Sequence, residues 1–487
     1  MLSVYRGLKP NPILLWFFLL FFFPPLSTQA QEPSSQTSYT LNDFLSGTEL
    51  DYYFTYFEDP STELTLEEAL NQNWQASKQH KMSFGYTNSV YWFRIIIKNN
   101  SDEHQDRLLN IDYPVIDYIS AYSRVDDGEW ALKEYGDKYS FYERDLNHRN
   151  FVIPIRFDKQ STMELIFRVQ TTSSMQFPVS IWQPSDFFIH DQMQMLILGV
   201  YYGLMIVMFL YNLFIFFSVR ERSYLFYVLY VASISGFLAS LQGLNFQLLW
   251  PEATTWNDKS IVFFLGCTVL FAVLFAKYFL ELKVIKHFDY ALNTIAALSL
   301  LIIVASFFTP YHTMIQLLIL LTVAYHVIVL VAGIIRWWQG YISARYYVVA
   351  WSTLLVGGIL MSLSKYNIIP NGILVDNIVQ IGSALEVTLL SFALADRFNQ
   401  EKRQRYEAQQ MALEQEKIAR RSKEEAFEQE RNARIAQEKA LQHEREAREA
   451  QSKALDIQKQ ATETLEQRVK ERTEELETVN RRLELMS

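Results

Sequence analysis

The chain has 487 residues, half of them hydrophobic, and a formal net charge of −9 at pH 7. The apolar residues gather in blocks of about twenty, which is the length that crosses a bilayer, whereas roughly the last ninety residues are nearly all polar. The single cysteine, Cys267, excludes an intramolecular disulfide, and the acidic balance argues against nucleic acid as a partner.

Residues 1–30 have the layout of a secretory signal peptide. Arg6 and Lys9 precede an apolar run over 13–23, and small residues occupy the positions before a cleavage site at Ala30. We predict cleavage after Ala30. The alternative is an uncleaved extra helix, although the apolar run is short for a membrane span.

Residues 31–190 are predicted to form a periplasmic all-β sensor domain. Runs rich in aromatic and β-branched residues, such as VYWFRIIIKN and FVIPIRF, recur between clusters of turn residues. Many short strands without a long amphipathic helix indicate a β-sandwich. Most of its aromatic residues are expected to lie in the core.

Residues 191–396 are predicted to form a bundle of seven transmembrane helices in a bacterial inner membrane. Basic residues are frequent in alternate loops, and the richer side matches the side of the tail that begins at Arg397. This pattern places the N-terminal domain outside and the C-terminus in the cytoplasm, in agreement with the signal peptide. The predicted segments lie near 194–218, 222–242, 260–282, 288–308, 312–335, 343–364 and 373–395.

The clearest cases of polar residues inside these segments are Asn212, His326 and Glu386. Such residues are costly in a bilayer unless they are paired. They would suit a proton or ion path in a transporter, or hydrogen bonds between helices. We favour packing, because only two of them are ionisable and the two halves of the bundle show no repeat.

Residues 397–487 are predicted to form a cytoplasmic coiled-coil signalling helix. This segment has no proline or glycine, and its apolar residues recur every seven positions. Tails that leave the membrane with the same topology lie parallel, so we predict a homodimer. The alternative is a solvated single helix with ion pairs four residues apart. The predicted core positions are Leu455, Leu465, Val469, Leu476, Val479 and Leu483.

No catalytic signature is present. The sequence lacks a Gly-rich phosphate loop, a Walker motif and a metal-spaced Cys/His cluster. We therefore predict no catalytic residue, metal or cofactor, and whether a longer form has enzymatic activity stays open.

Several stretches resemble the 7TMR-DISM family, bacterial seven-transmembrane receptors with diverse intracellular signalling modules. VYWFRIIIKN, IDYPVIDYISAY, HRNFVIPI and RVQTTSSMQFPVSIW resemble its type-2 extracellular domain. GVYYGLMIVMFLYNLFIFFSVRERSYLFYVLY and GSALEVTLLSFALADRFN resemble its first two spans and its last span. The resemblance covers roughly residues 40–400. It implies a jelly-roll sandwich similar to carbohydrate-binding modules.

Within that resemblance, five positions match the extracellular motifs and become ligand-binding candidates: Trp92, Arg94, His148, Arg149 and Asn150. The alternative for Arg94 and Arg149 is that they satisfy carboxylates or strand ends within the fold. The implied ligand is an extracytoplasmic small molecule or glycan.

The end of the tail, LEQRVKERTEELETVNRRLELMS, resembles the linker that often precedes a GGDEF diguanylate cyclase domain, and no such motif follows it. We expect a receptor that relays its signal through the seven helices and the coiled coil to a cytoplasmic output module or partner protein. Diguanylate cyclase is the first candidate for that output and histidine kinase the second. The alternatives are a transporter or a partner-dependent regulatory subunit with an accessory β-sandwich.

Overall fold

The computed structural model describes residues 38–41, 46–77, 82–365 and 377–485, so the predicted signal peptide lies outside the described residues. The chain divides into two compact units, Met1–Phe398 and Asn399–Ser487. The first unit contains the β-strands and the apolar helices, and the second contains the polar tail.

The strands of the first unit form three sheets. Their order is β4-β3-β6-β11-β8-β9 in the largest, where β1 also pairs with β6, then β10-β7-β13-β2, and β12-β5. The pairing of β1 with β6 is parallel, and the other pairings are antiparallel. The strands are β1 (Tyr39–Thr40), β2 (Thr48–Glu49), β3 (Thr55–Asp59), β4 (Gln75–Ala76), β5 (Ser83–Tyr86), β6 (Val90–Asn99), β7 (Gln105–Ile111), β8 (Tyr118–Val125), β9 (Ala131–Tyr135), β10 (Phe151–Phe157), β11 (Ser161–Gln170), β12 (Ser174–Gln176) and β13 (Val179–Trp182).

The two larger sheets share a core because their strands alternate inward and outward side chains. Phe93 and Ile95 of β6 lie in the same buried cluster as Leu109 and Ile111 of β7. Trp92, which directly precedes Phe93, belongs to a separate cluster on the opposite face of its sheet. This period of two is the pattern expected of a strand that is packed on both faces. The prediction of a sandwich-like N-terminal region is confirmed.

The helices are α1 (Leu66–Leu70), α2 (Pro184–Val219), α3 (Arg222–Leu241), α4 (Leu244–Leu248), α5 (Thr254–Phe279), α6 (Lys286–Ala305), α7 (Tyr311–Trp338), α8 (Ala344–Lys365) and α9 (Ile378–Glu484). Among the described residues, α2, α3, α5, α6, α7 and the start of α9 are long and apolar enough to cross a membrane. The apolar part of α8 that is described, Ala344–Leu360, is shorter. Several membrane-type helices are therefore confirmed, and the count of seven stays a prediction.

The core of the helical bundle depends on close approach between neighbouring helices. A Cβ atom placed on Gly236 of α3 would lie 2.7 Å from the Phe264 ring of α5, so a larger residue there would push the two helices apart. Buried side chains of α3, α5 and α9, including Tyr227, Val273 and Val387, belong to one continuous apolar cluster.

The second unit is helical as far as Glu484. From Lys402 onward, every described side chain of this tail is exposed in the single chain. The six predicted core residues are 53–67% exposed. They could be buried by a partner, but the prediction of a coiled coil stays untested.

Candidate functional site

A cavity of about 460 Å³ lies between the β-sandwich and the ends of the helices, and we call it the junction cavity. From the sandwich side it is lined by His148, Arg149 and Asn150, which directly precede β10. From the helical side it is lined by polar residues that include Gln194 of α2 and Gln380 of α9. The cavity therefore joins the domain predicted to sense a ligand to the helix that leads into the tail.

A buried arginine holds the segment 144–150 in place. The Arg144 guanidinium donates through Nη1 to the carbonyl oxygens of His148 at 3.0 Å and Arg149 at 2.7 Å. It also lies over the rings of Phe141 and Phe151. Burial lowers the pKa of Arg144 to about 10, so the group stays charged at neutral pH. Removing this side chain would leave the carbonyl oxygens of the segment without their donor.

His148 connects the sandwich to α2. Its Nδ1 accepts a hydrogen bond from the backbone N–H of Asn150 at 3.0 Å, so the ring proton belongs on Nε2. That atom lies 3.0 Å from Oδ1 of Asp191 on α2. One wall of the cavity is thus tied to a membrane-type helix by a side-chain hydrogen bond.

Three buried polar atoms at this cavity have no hydrogen-bond partner among the described residues. They are Nε of Arg149, Oδ1 of Asn150 and Oε1 of Gln380. Buried polar groups in folded proteins nearly always have partners, because an unpaired one costs about 1–3 kcal/mol. Their grouping around one cavity makes it the candidate site for a polar ligand.

Trp92 and Arg94 lie elsewhere, on the outer face of the largest sheet, and do not line the junction cavity. Trp92 is fully buried and stacks against Phe57 and Tyr122. Nε of Arg94 contacts Oε1 of Glu164 at 2.5 Å, which is the carboxylate pairing considered as its alternative role. A ligand role for these two residues stays a prediction.

The polar residues inside the helices pair with neighbouring helices or with their own. Nδ2 of Asn212 on α2 donates to Oγ of Ser391 on α9 at 2.9 Å. Glu386 on α9 accepts a hydrogen bond from the Tyr230 hydroxyl of α3 at 2.8 Å. His326 contacts the Thr322 carbonyl of its own helix at 2.7 Å. Two of the three thus attach α9 to the first two membrane-type helices.

Two family models match the sequence. The model described as "7TM diverse intracellular signalling" matches residues 194–397, and the one described as "7TMR-DISM extracellular 2" matches residues 51–183. Together they span well over half of the chain. The chain belongs to the 7TMR-DISM family. No curated protein matches it.

Membership in the 7TMR-DISM family establishes the general class of the protein. The chain is a multi-pass membrane protein of a receptor family, with an extracellular sensor domain ahead of its membrane region. The junction cavity lies where these two matched regions meet, since its lining residues come from both.

The 7TMR-DISM chain also has a buried polar junction that the sequence did not reveal. Lys138 of the sandwich forms an ion pair with Asp258 of α5 and lies 3.9 Å from Asp117. Asn257 of α5 donates to Oδ2 of Asp137 at 3.3 Å. Burial raises the pKa of Asp137 well above its ordinary value, and the negative charges of Asp117 and Asp258 add to this effect.

Replacing Asp137 with Asn should stabilise the protein in a pH-dependent way. The raised pKa means that the folded state loses stability as pH rises from the ordinary carboxyl pKa through the raised one. Asn keeps the acceptor for Asn257 and cannot ionise. We expect the melting temperature of Asp137→Asn in detergent to exceed that of the wild type by about 3 °C at pH 8, with no difference near pH 4. The exposed Asp127→Asn is the control, and a destabilised variant at pH 8 would contradict the account.

Proposed function

We propose that this protein is a signal-transducing receptor that binds a small extracytoplasmic ligand in the junction cavity and passes the change along α9 to a cytoplasmic output module or partner protein. The observation that carries the proposal is that one cavity is lined by both the sandwich, through Arg149 and Asn150, and α9, through Gln380. A ligand that contacts both walls would stabilise one arrangement of sandwich and helix over another. We further propose that the protein lies in the bacterial inner membrane with its tail in the cytoplasm.

The hydrogen bonds along α9 support this relay. Below the cavity, Ser383 pairs with Tyr201 at 3.0 Å, Glu386 with Tyr230 and Ser391 with Asn212. At the end of the first unit, Arg397 donates to the carbonyl of Tyr278 at 2.8 Å and pairs with Glu221 at 3.1 Å. A displacement at the start of α9 must rearrange these pairs or move the helices to which they belong.

The ligand classes open to this site include glycans, and the candidate outputs are a diguanylate cyclase first and a histidine kinase second. The rival function is transport, in which Glu386 and His326 carry protons or ions. Glu386 accepts a hydrogen bond from Tyr230 and so joins α9 to α3, and His326 contacts the Thr322 carbonyl of its own helix. Both residues therefore have partners within the helical bundle. These contacts favour the receptor over the transporter.

Filling the cavity should alter the state of the tail. Ser180 of β13 lines the cavity, so Ser180→Trp places a bulky ring there, while Ser185→Trp adds the same ring at an exposed position that does not line it. The measurement uses a dimerisation-dependent luciferase reporter fused after Ser487. We expect Ser180→Trp to change the reporter signal at least about threefold, which corresponds to a bias of roughly 0.7 kcal/mol between the two states. Ser185→Trp should leave the signal unchanged.

The same proteins in proteoliposomes test the rival. Equal reporter signals, combined with solute uptake that Glu386→Gln or His326→Ala abolishes, would contradict the receptor and support a transporter.

We also propose that the tail forms a parallel homodimeric coiled coil. Leu455, Val469, Leu476 and Leu483 keep a seven-residue register, and each is more than half exposed in the single chain. A partner helix would remove this apolar surface from water, which contributes roughly 25 cal/mol per Å². Upstream, alanine recurs every seven residues from Ala412 to Ala461 and buries less area, so the two helices should be held together mainly near the end of the tail.

Polar substitution of the apolar seam should separate the strands. Leu465, Leu476 and Leu483 changed together to Asn should make a fragment 397–487 monomeric in sedimentation equilibrium. Gln467, Glu474 and Arg481 lie on the outer face of the heptad, so changing these three to Asn is a control with a similar number of Asn residues in the helix. A wild-type fragment that is monomeric at high micromolar concentration, with full-length protein also monomeric in detergent, would contradict the dimer.

A further inference from the structure

We propose that the ligand of the junction cavity carries a protonated primary amine together with a carboxylate, as a free amino acid does. This inference rests on the proposed function, since it names the chemical class of molecule that the same cavity would sense.

The first argument is the charge of the cavity wall. Four carboxylate side chains line it, and a single guanidinium, Arg149, opposes them. Both ring nitrogens of His148 are already engaged, because Nδ1 accepts from the backbone N–H of Asn150 and Nε2 faces Asp191. The excess of negative charge favours a ligand with a cationic group and disfavours a purely anionic one. The four carboxylates belong to Glu49, Asp51, Asp112 and Asp191.

The second argument is the polarity of the unpaired atoms. Asn150 is only 3% exposed, and its Nδ2 donates to Oδ1 of Asp112 at 2.6 Å, which fixes the orientation of the amide. The atom left without a partner is therefore the acceptor Oδ1. Oε1 of Gln380 is a second buried acceptor without a partner. Two acceptors require donors from the ligand, and an ammonium group supplies three.

The third argument concerns Arg149, whose buried Nε is the unpaired donor among the residues described at this cavity. A guanidinium forms its strongest hydrogen bonds with a carboxylate. A molecule with an ammonium group and a carboxylate would thus complement all three unpaired atoms. A neutral sugar would supply donors to Asn150 and Gln380 but would make no use of the excess negative charge.

The test is isothermal titration calorimetry of the full-length protein in nanodiscs. The panel contains the twenty amino acids, their N-acetyl derivatives, putrescine, glucose and N-acetylglucosamine, each to about 10 mM, which detects affinities as weak as millimolar. We expect at least one amino acid to bind. Its N-acetyl derivative, which lacks the ammonium, should bind at least about tenfold more weakly, as expected when charge-assisted hydrogen bonds are lost.

Variants connect the binding to the cavity. Gln380→Leu removes one acceptor at similar volume and should weaken amino acid binding at least about tenfold. Gln316→Leu makes the same change on α7, away from the cavity lining, and should have no effect. Arg149→Met should weaken amino acid binding and leave putrescine binding unchanged or tighter, because it removes a positive charge. Circular dichroism melts of each variant separate a lost site from a lost fold.

The outcomes separate this inference from the proposed function. If the N-acetyl derivative binds as tightly as the amino acid, or if a sugar binds and Gln380→Leu weakens its binding, the ligand does not need a protonated amine. The junction cavity would still be the receptor's ligand site. If putrescine binds, Arg149→Met does not change that binding, and no amino acid binds, then the proposal that the ligand carries a carboxylate is wrong. Amino acid binding unaffected by Gln380→Leu and Arg149→Met would overturn both the inference and the cavity as the sensing site. Absence of binding by the whole panel would overturn the inference alone.

Discussion

The buried polar contact between the β-sandwich and helix α5 is the interaction on which the arrangement of the first unit depends. Lys138 reaches from the sandwich to Asp258, and Asn257 returns a hydrogen bond to Asp137. The backbone N–H of Phe141 also donates to the carbonyl of Pro251 at 2.9 Å. Charges and amides buried in this way are costly unless their partners stay in register. The junction therefore fixes the sandwich against the helices at one position.

The junction cavity follows from that fixed position. Segment 144–150 begins a few residues after the contact at Phe141, and Arg144 folds it into a shape that presents His148, Arg149 and Asn150 toward the helices. Because the sandwich cannot slide, these side chains face Gln380 of α9 across the cavity. The geometry makes α9 a wall of the site, and its hydrogen bonds to α2 and α3 connect that wall to the rest of the bundle.

Much of the architecture could be predicted from local sequence patterns. The aromatic and β-branched residues of VYWFRIIIKN predicted a strand, and blocks of about twenty apolar residues predicted the membrane-type helices. The motif containing His148, Arg149 and Asn150 was selected through resemblance to the family. The grouping of these three at one cavity is a result of tertiary structure, as is the separation of Trp92 and Arg94 from them.

The residues that sequence reasoning missed are those whose role depends on distant partners. Gln380 carries no signal in sequence, since one glutamine near the start of an apolar segment is common. Arg144 and Lys138 carry no distinguishing signal in sequence, and only the fold brings Phe246 beside the first and Asp258 beside the second. A pattern of residue types cannot indicate contacts between positions more than a hundred residues apart.

The central claim is that the sandwich and α9 face each other across one cavity, and cysteine cross-linking in full-length protein tests it most directly. In a Cys267→Ser background, Arg149→Cys and Gln380→Cys would be treated with a short bismaleimide, and the linked peptides identified by mass spectrometry. The account predicts an intramolecular link between positions 149 and 380, and none between Arg149→Cys and Gln316→Cys on α7. Absence of the 149–380 link, when both cysteines react with a monofunctional maleimide, would contradict it.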